Sequence, residues 1–260
     1  MGAAPAVDSS DLESSATESY WLASTRPLQV LVFLLPLVLL YEFGSFMWLD
    51  QAVAQSLAAR AILRTLFELF GIAGVHIPAI VLITTLISWH IIERRPWTAR
   101  LGVTAAMGIE SLIWAMPLLV LAAMTGMFGR SGGGLEELTG GARATIAIGA
   151  GVYEELVFRF ILMALVHGLL VDVCGVRRRL GDIMTIAASA IVFAAYHNPV
   201  VTGSTGVSEI DLGALIFFLG SGVFLAGLFL GRGLGIAAGA HVFYDLIVLV
   251  AVPAFDRGGG

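Results

Sequence analysis

Seven stretches of this chain stay apolar for the length of a membrane crossing, at roughly 28–48, 73–92, 106–127, 143–171, 183–200, 212–230 and 234–252. A helix needs about 20 mostly apolar residues to span hydrocarbon, where every backbone polar group must be satisfied within the segment. Composition agrees: 58% of the 260 residues are hydrophobic and 13% charged, against about 45–50% and about 25% in a soluble domain. The expected fold is therefore all-α, a polytopic transmembrane helix bundle of about seven spans, with eight possible. A soluble enzyme, a disordered protein and a disulfide scaffold are excluded. Cys174 is the only cysteine and can form no internal disulfide. A net charge of -5 gives no reason to expect nucleic acid as a partner.

Residues 1–25 are polar and acidic and read as a loose tail. Residues 26–256 read as a single integral-membrane domain. Within it, 51–70 alternates Arg60, Arg64 and Glu68 with apolar residues, the pattern of an amphipathic helix lying at the surface. Trp21, Trp48, Trp89 and Trp97 sit near span ends, as in an interfacial belt. All 14 basic residues are arginine. With seven spans, Arg26, Arg94, Arg95, Arg100, Arg177–Arg179 and Arg232 share one side, and Arg60, Arg64, Arg130, Arg143 and Arg257 the other. The positive-inside rule then places the N-terminus in the cytoplasm, and the expected location is a bacterial cell membrane. Gly227, Gly231, Gly235 and Gly239 recur at small-xxx-small spacing, which predicts close helix packing.

Ionisable groups inside spans are the informative residues, because lipid tolerates them only beside a partner or a cavity. Glu154, Glu155 and Arg159 lie in the fourth span, His197 near the end of the fifth, and His241 and Asp245 in the seventh. Glu155 and Arg159 are i and i+4 and can pair on one face. Glu154 is rotated about 100° from Glu155 and points elsewhere. Phe193 and His197, then His241 and Asp245, repeat the i, i+4 spacing. Three helices can thus present a carboxylate, an imidazole and an imidazole–carboxylate pair to one polar pocket. Glu42, Glu110, His90 and His167 read as structural or interfacial, and Cys174 as no nucleophile.

That inventory suits hydrolysis by an activated water. Desolvation strengthens a carboxylate as a base, one histidine can orient the water and carry protons, and a second can donate to an oxyanion. Two histidines and a carboxylate also suit zinc, but no His-Glu-x-x-His is present. Gly-x-Ser-x-Gly and Gly-x-Gly-Asp are missing too. Measured from the cytoplasmic span ends, His241 should lie about 10 Å deep and His197 about 20 Å. Misplaced boundaries, tilted helices or a break near Asn198-Pro199 would each reconcile the two depths.

Glu154-Glu155-x-x-x-Arg159, Phe193-x-x-x-His197 and His241-x-x-x-Asp245, in this order over about 142–250, resemble the CPBP family, the CAAX-processing and bacteriocin-processing (Abi) membrane proteases. The resemblance implies a glutamic-type intramembrane endopeptidase acting on a membrane-associated protein or peptide. It implies that Glu154 activates water with His197, that Glu155, Arg159 and Phe193 shape the site, and that His241 stabilises the oxyanion with the residue four positions on. There the family commonly has Asn and this chain has Asp245, which when ionised cannot donate. Asp245 is then expected either to be protonated or to orient His241 and hold it cationic, orientation being the favoured role; the substitution also strengthens the case for zinc. No cofactor is otherwise implied. The competing readings are an ion-coupled transporter built on the same groups, and a non-catalytic immunity or partner-binding protein.

Overall fold

The computed structural model describes residues 19–49, 77–128, 135, 138–198 and 210–253. The amphipathic segment expected at 51–70 lies outside them, as does the tail up to residue 18. Among the described residues all regular structure is helical: α1 (Tyr20–Ala23), α2 (Pro27–Trp48), α3 (Ile77–Glu93), α4 (Leu101–Met124), α5 (Gly140–Val173), α6 (Arg178–Tyr196) and a last stretch, Leu212–Ala251. Five of these are long and apolar enough to cross a membrane, and α3 is a shorter apolar helix.

The last stretch is two arms. Phe217 and Tyr244 are 27 positions apart, about 40 Å along a straight helix, yet their rings lie 5.7 Å from one another. The chain turns back at Gly233, whose φ of 79° and ψ of 178° fall in a region open essentially to glycine alone. We number the arms α7 (212–232) and α8 (234–251). Counted this way, the described residues hold seven apolar helices, α2 to α8, where seven spans are expected, α3 being the short one.

Local chemistry explains the boundaries. Pro27 opens α2 at a position where no backbone donor is needed. Thr139 and Asp211 cap α5 and α7 by accepting the backbone N–H of Ala142 and Ala214. The pairings α2–α5 and α6–α7 are antiparallel: Gly44 meets Thr145 and Gly149 meets Tyr41, while Gly222 meets Ala190 and Phe193 meets Phe218. A Cβ on Gly151 would stand 2.5 Å from the backbone nitrogen of Val242, so glycine there lets α8 lie backbone against α5. Of the four glycines expected to pack closely, Gly235 and Gly239 on α8 do, against Met107 and Ser111; Gly227 and Gly231 on α7 are exposed, with open space beside them.

Two further expectations are corrected. The N-terminal tail is not loose throughout, since Tyr20 and Ser24 are tied into the bundle. Glu110, read as structural or interfacial, forms a two-pronged pair with Arg232, Nε to Oε1 at 2.6 Å and Nη2 to Oε2 at 2.8 Å. Tyr20 donates to the same carboxylate, Trp114 donates to it at 3.2 Å, and Arg232 also reaches Ser24 Oγ at 3.0 Å. Arg232, expected as a loop charge, is thereby buried beside the Gly233 reversal. The backbone of Arg100 is held by Gln29, which brings the starts of α2 and α4 to the same end of the bundle.

Candidate active site

Helix α5 is regular from Gly140 to Glu154 and then widens into a π turn over Glu155–Ile161. Such turns insert an extra residue and re-aim neighbouring side chains, often at functional sites. Here the Glu-Glu-x-x-x-Arg motif straddles the change. Ser189 on α6 donates to the carbonyl of Phe158 at 2.9 Å, within the π turn. Glu155 and Arg159 are both fully buried and pair at 3.1 Å, as their spacing predicts.

Phe193 on α6 organises the next layer. The Arg159 guanidinium lies over its ring, 4.3 Å from the centroid, a favourable cation–π placement. Its carbonyl accepts from Nδ1 of His197 at 2.9 Å. That bond fixes the tautomer and turns Nε2 toward Glu154, 3.5 Å from Oε2. The His197 ring is stacked on Phe218 of α7, 4.4 Å between centroids and 16° between planes.

Helix α8 closes the group. His241 donates from Nδ1 to Oε1 of Glu155 at 2.8 Å. Its Nε2 faces Oε2 of Glu154 at 4.0 Å and Oδ2 of Asp245 at 3.5 Å. All seven residues singled out from the sequence therefore lie together. Glu155 holds Nδ1 of His241, and Asp245, expected to orient that ring, stands at the opposite nitrogen. Glu155 thus joins Arg159 to His241 rather than only bracing its own helix.

The two histidines meet despite their different expected depths because the helix ends are staggered. α6 reaches His197 only at its C-terminal cap, after 19 residues or about 28 Å, whereas α8 reaches His241 about 12 Å beyond Gly233. Helix α6 covers Arg178–Tyr196 rather than the expected 183–200 and ends before Asn198.

Donor counting limits what the site can do. With both Nδ1 atoms committed, the Nε2 atoms of His197 and His241 and the carboxylates of Glu154 and Asp245 face one another. Neutral imidazoles and ionised carboxylates there offer only lone pairs. The arrangement suits a species carrying protons, such as a water, or an extra proton on an imidazole. Among the described residues, no group of three or more His, Cys, Asp or Glu side chains has the arrangement of a metal site.

Phe218 was not singled out from the sequence, and nothing in its local pattern marks it among the many phenylalanines. His167 pairs with Asp182 at 3.0 Å across α5 and α6, and buried His90 packs against Trp97 at 4.5 Å, both away from the site. Cys174 is exposed in the turn between α5 and α6.

No curated protein and no solved structure matches the chain. Residues 141–247 match the family model for type II CAAX prenyl endopeptidase Rce1-like proteins, and every residue of the site just described falls inside them. Over this segment the chain is similar to the Rce1-like CAAX endopeptidase family, the group that the three ordered motifs resemble.

Proposed function

We propose that the chain is an intramembrane endopeptidase of glutamic type that cleaves a membrane-associated protein or peptide. The observation that carries this reading is the convergence of Glu154, His197 and His241, from three different helices, within 4.0 Å at the Glu154 carboxylate. A water between Glu154 and His197 can donate one proton to Oε2 and the other to Nε2. Both its protons are then engaged, and a lone pair is left for the scissile carbonyl. Glu154 takes the proton lost on attack and returns it to the leaving amine.

His241 serves the oxyanion. To donate from Nε2 while Nδ1 donates to Glu155, it must act as an imidazolium. Glu155 holds its ring and Arg159 holds Glu155, so the donor is in place before charge develops. Asp245, beside Nε2, stands where it can exchange a proton with His241 but does not fix the ring. No metal enters this sequence of events.

In the proposed orientation the N-terminus and the arginine-bearing helix ends face the cytoplasm. The reading is tested by incubating membranes that carry wild type or Glu154→Gln with a farnesylated CAAX peptide, with and without a zinc chelator. Glu154-dependent cleavage that survives the chelator supports it. Cleavage lost to the chelator and restored by zinc would replace the glutamic mechanism with a metal-dependent one.

A further inference from the structure

Glu42 lies in α2, outside the family-matched segment, six residues before the helix ends at Trp48. A carboxylate within a span calls for a partner. One partner is Tyr153, whose hydroxyl donates to Oε1 of Glu42 at 3.2 Å. Tyr153 is 1% exposed, and the Tyr41 ring meets it edge-on at 5.1 Å and 79°. Tyr41 is itself pressed against α5, where a Cβ on Gly149 would come within 2.3 Å of its ring.

Tyr153 immediately precedes Glu154, and the π turn starts one residue later at Glu155. A buried phenol favours the arrangement that satisfies its hydroxyl. The bond to Glu42 therefore selects one rotation of α5 at the point where the helix changes pitch. Any other rotation moves both carboxylates that follow.

We propose that Glu42 is a positioning residue. By accepting the Tyr153 hydroxyl it sets the rotation of α5 that aims Glu154 at His197 and Glu155 at His241. The effect on turnover rests on the endopeptidase reading; the effect on geometry does not.

The geometric test uses full-length protein carrying Glu154→Cys and Cys174→Ser in its membrane, and reads the rate at which N-ethylmaleimide alkylates the introduced thiol. Adding Tyr153→Phe or Glu42→Leu should change that rate about fivefold or more, and the two together no further than either alone. Glu42→Gln, whose amide oxygen still accepts, should leave it within about twofold. In the protein with Glu154 intact, Tyr153→Phe and Glu42→Leu should each lower kcat for the farnesylated peptide about tenfold with KM unchanged, since misplacement near 1 Å costs up to about a hundredfold. Unchanged thiol rates, even with a lower thermal midpoint, would mean that the pair only braces two helices, and would overturn the proposal. If wild type shows no Glu154-dependent cleavage, the endopeptidase reading falls while the thiol rates still decide the positioning role.

Discussion

His241 gives its Nδ1 proton to Glu155 across 2.8 Å, and that bond leaves Nε2 turned toward Glu154. A carboxylate whose i+4 spacing to Arg159 suggests a helix brace is thereby the group that orients an imidazole on another helix. Removing it should disturb both partners. Glu155→Leu is expected to lower kcat about a hundredfold through loss of alignment. It should also destabilise the protein by about 3–5 kcal/mol, because Arg159 is left buried without its counter-charge. Peptide cleavage and the thermal midpoint in detergent check the two effects separately.

Gly233 makes the reversal that returns α8 to the site. Alanine at its φ of 79° and ψ of 178° is strained by about 1–3 kcal/mol. Gly233→Ala should lower the thermal midpoint, whereas Gly227→Ala, at a position with open space beside it, should leave the midpoint within about a degree or raise it through the helix preference of alanine. Equal losses at the two positions would contradict the hairpin.

The pair of Glu110 and Arg232 anchors the same reversal, and Tyr20 joins it from α1. Burial, then the hydrogen bond to Glu110, pushes the Tyr20 hydroxyl up from its ordinary 10 to about 12. A raised folded value means that its stabilisation is complete below pH 10 and is lost as the pH rises from 10 through about 12. Wild type should therefore be more stable than Tyr20→Phe at pH 8, and the difference should shrink steadily over that window. A constant difference across pH 8 to 12 would show that the Tyr20 proton is not part of the anchor.

Cys174 reports the orientation. It is exposed at the turn beside Arg177–Arg179, at the end assigned to the cytoplasm. A membrane-impermeant maleimide should leave it unmodified in intact cells and modify it in inverted vesicles. Modification in intact cells would reverse the assignment.

The spans were legible because hydropathy over about 20 residues is a local property. The pairing of Glu155 with Arg159 followed from helical spacing, which survives into the π turn. What local spacing misses is the contact made between helices. Glu110 and Arg232 are 122 positions apart, and nothing near Glu110 announces its partner. The bond between His241 and Glu155 was hidden for a similar reason. His241 and Asp245 share a helix face, so spacing paired them, whereas the bond to Glu155 depends on the close approach of α8 to Gly151 and on the widened turn of α5. The stagger that lets His197 meet His241 likewise depends on Gly233, whose reversal turns what hydropathy reads as two spans into one hairpin.

The most direct measurement maps new protein termini by mass spectrometry in membranes from cells making equal amounts of wild type or Glu154→Gln. The account predicts termini that appear only with wild type and cluster beside a membrane span or in a C-terminal tail. Identical termini in the two strains, with both proteins folded and abundant, would contradict it and turn attention to ion coupling or partner binding by the same buried groups.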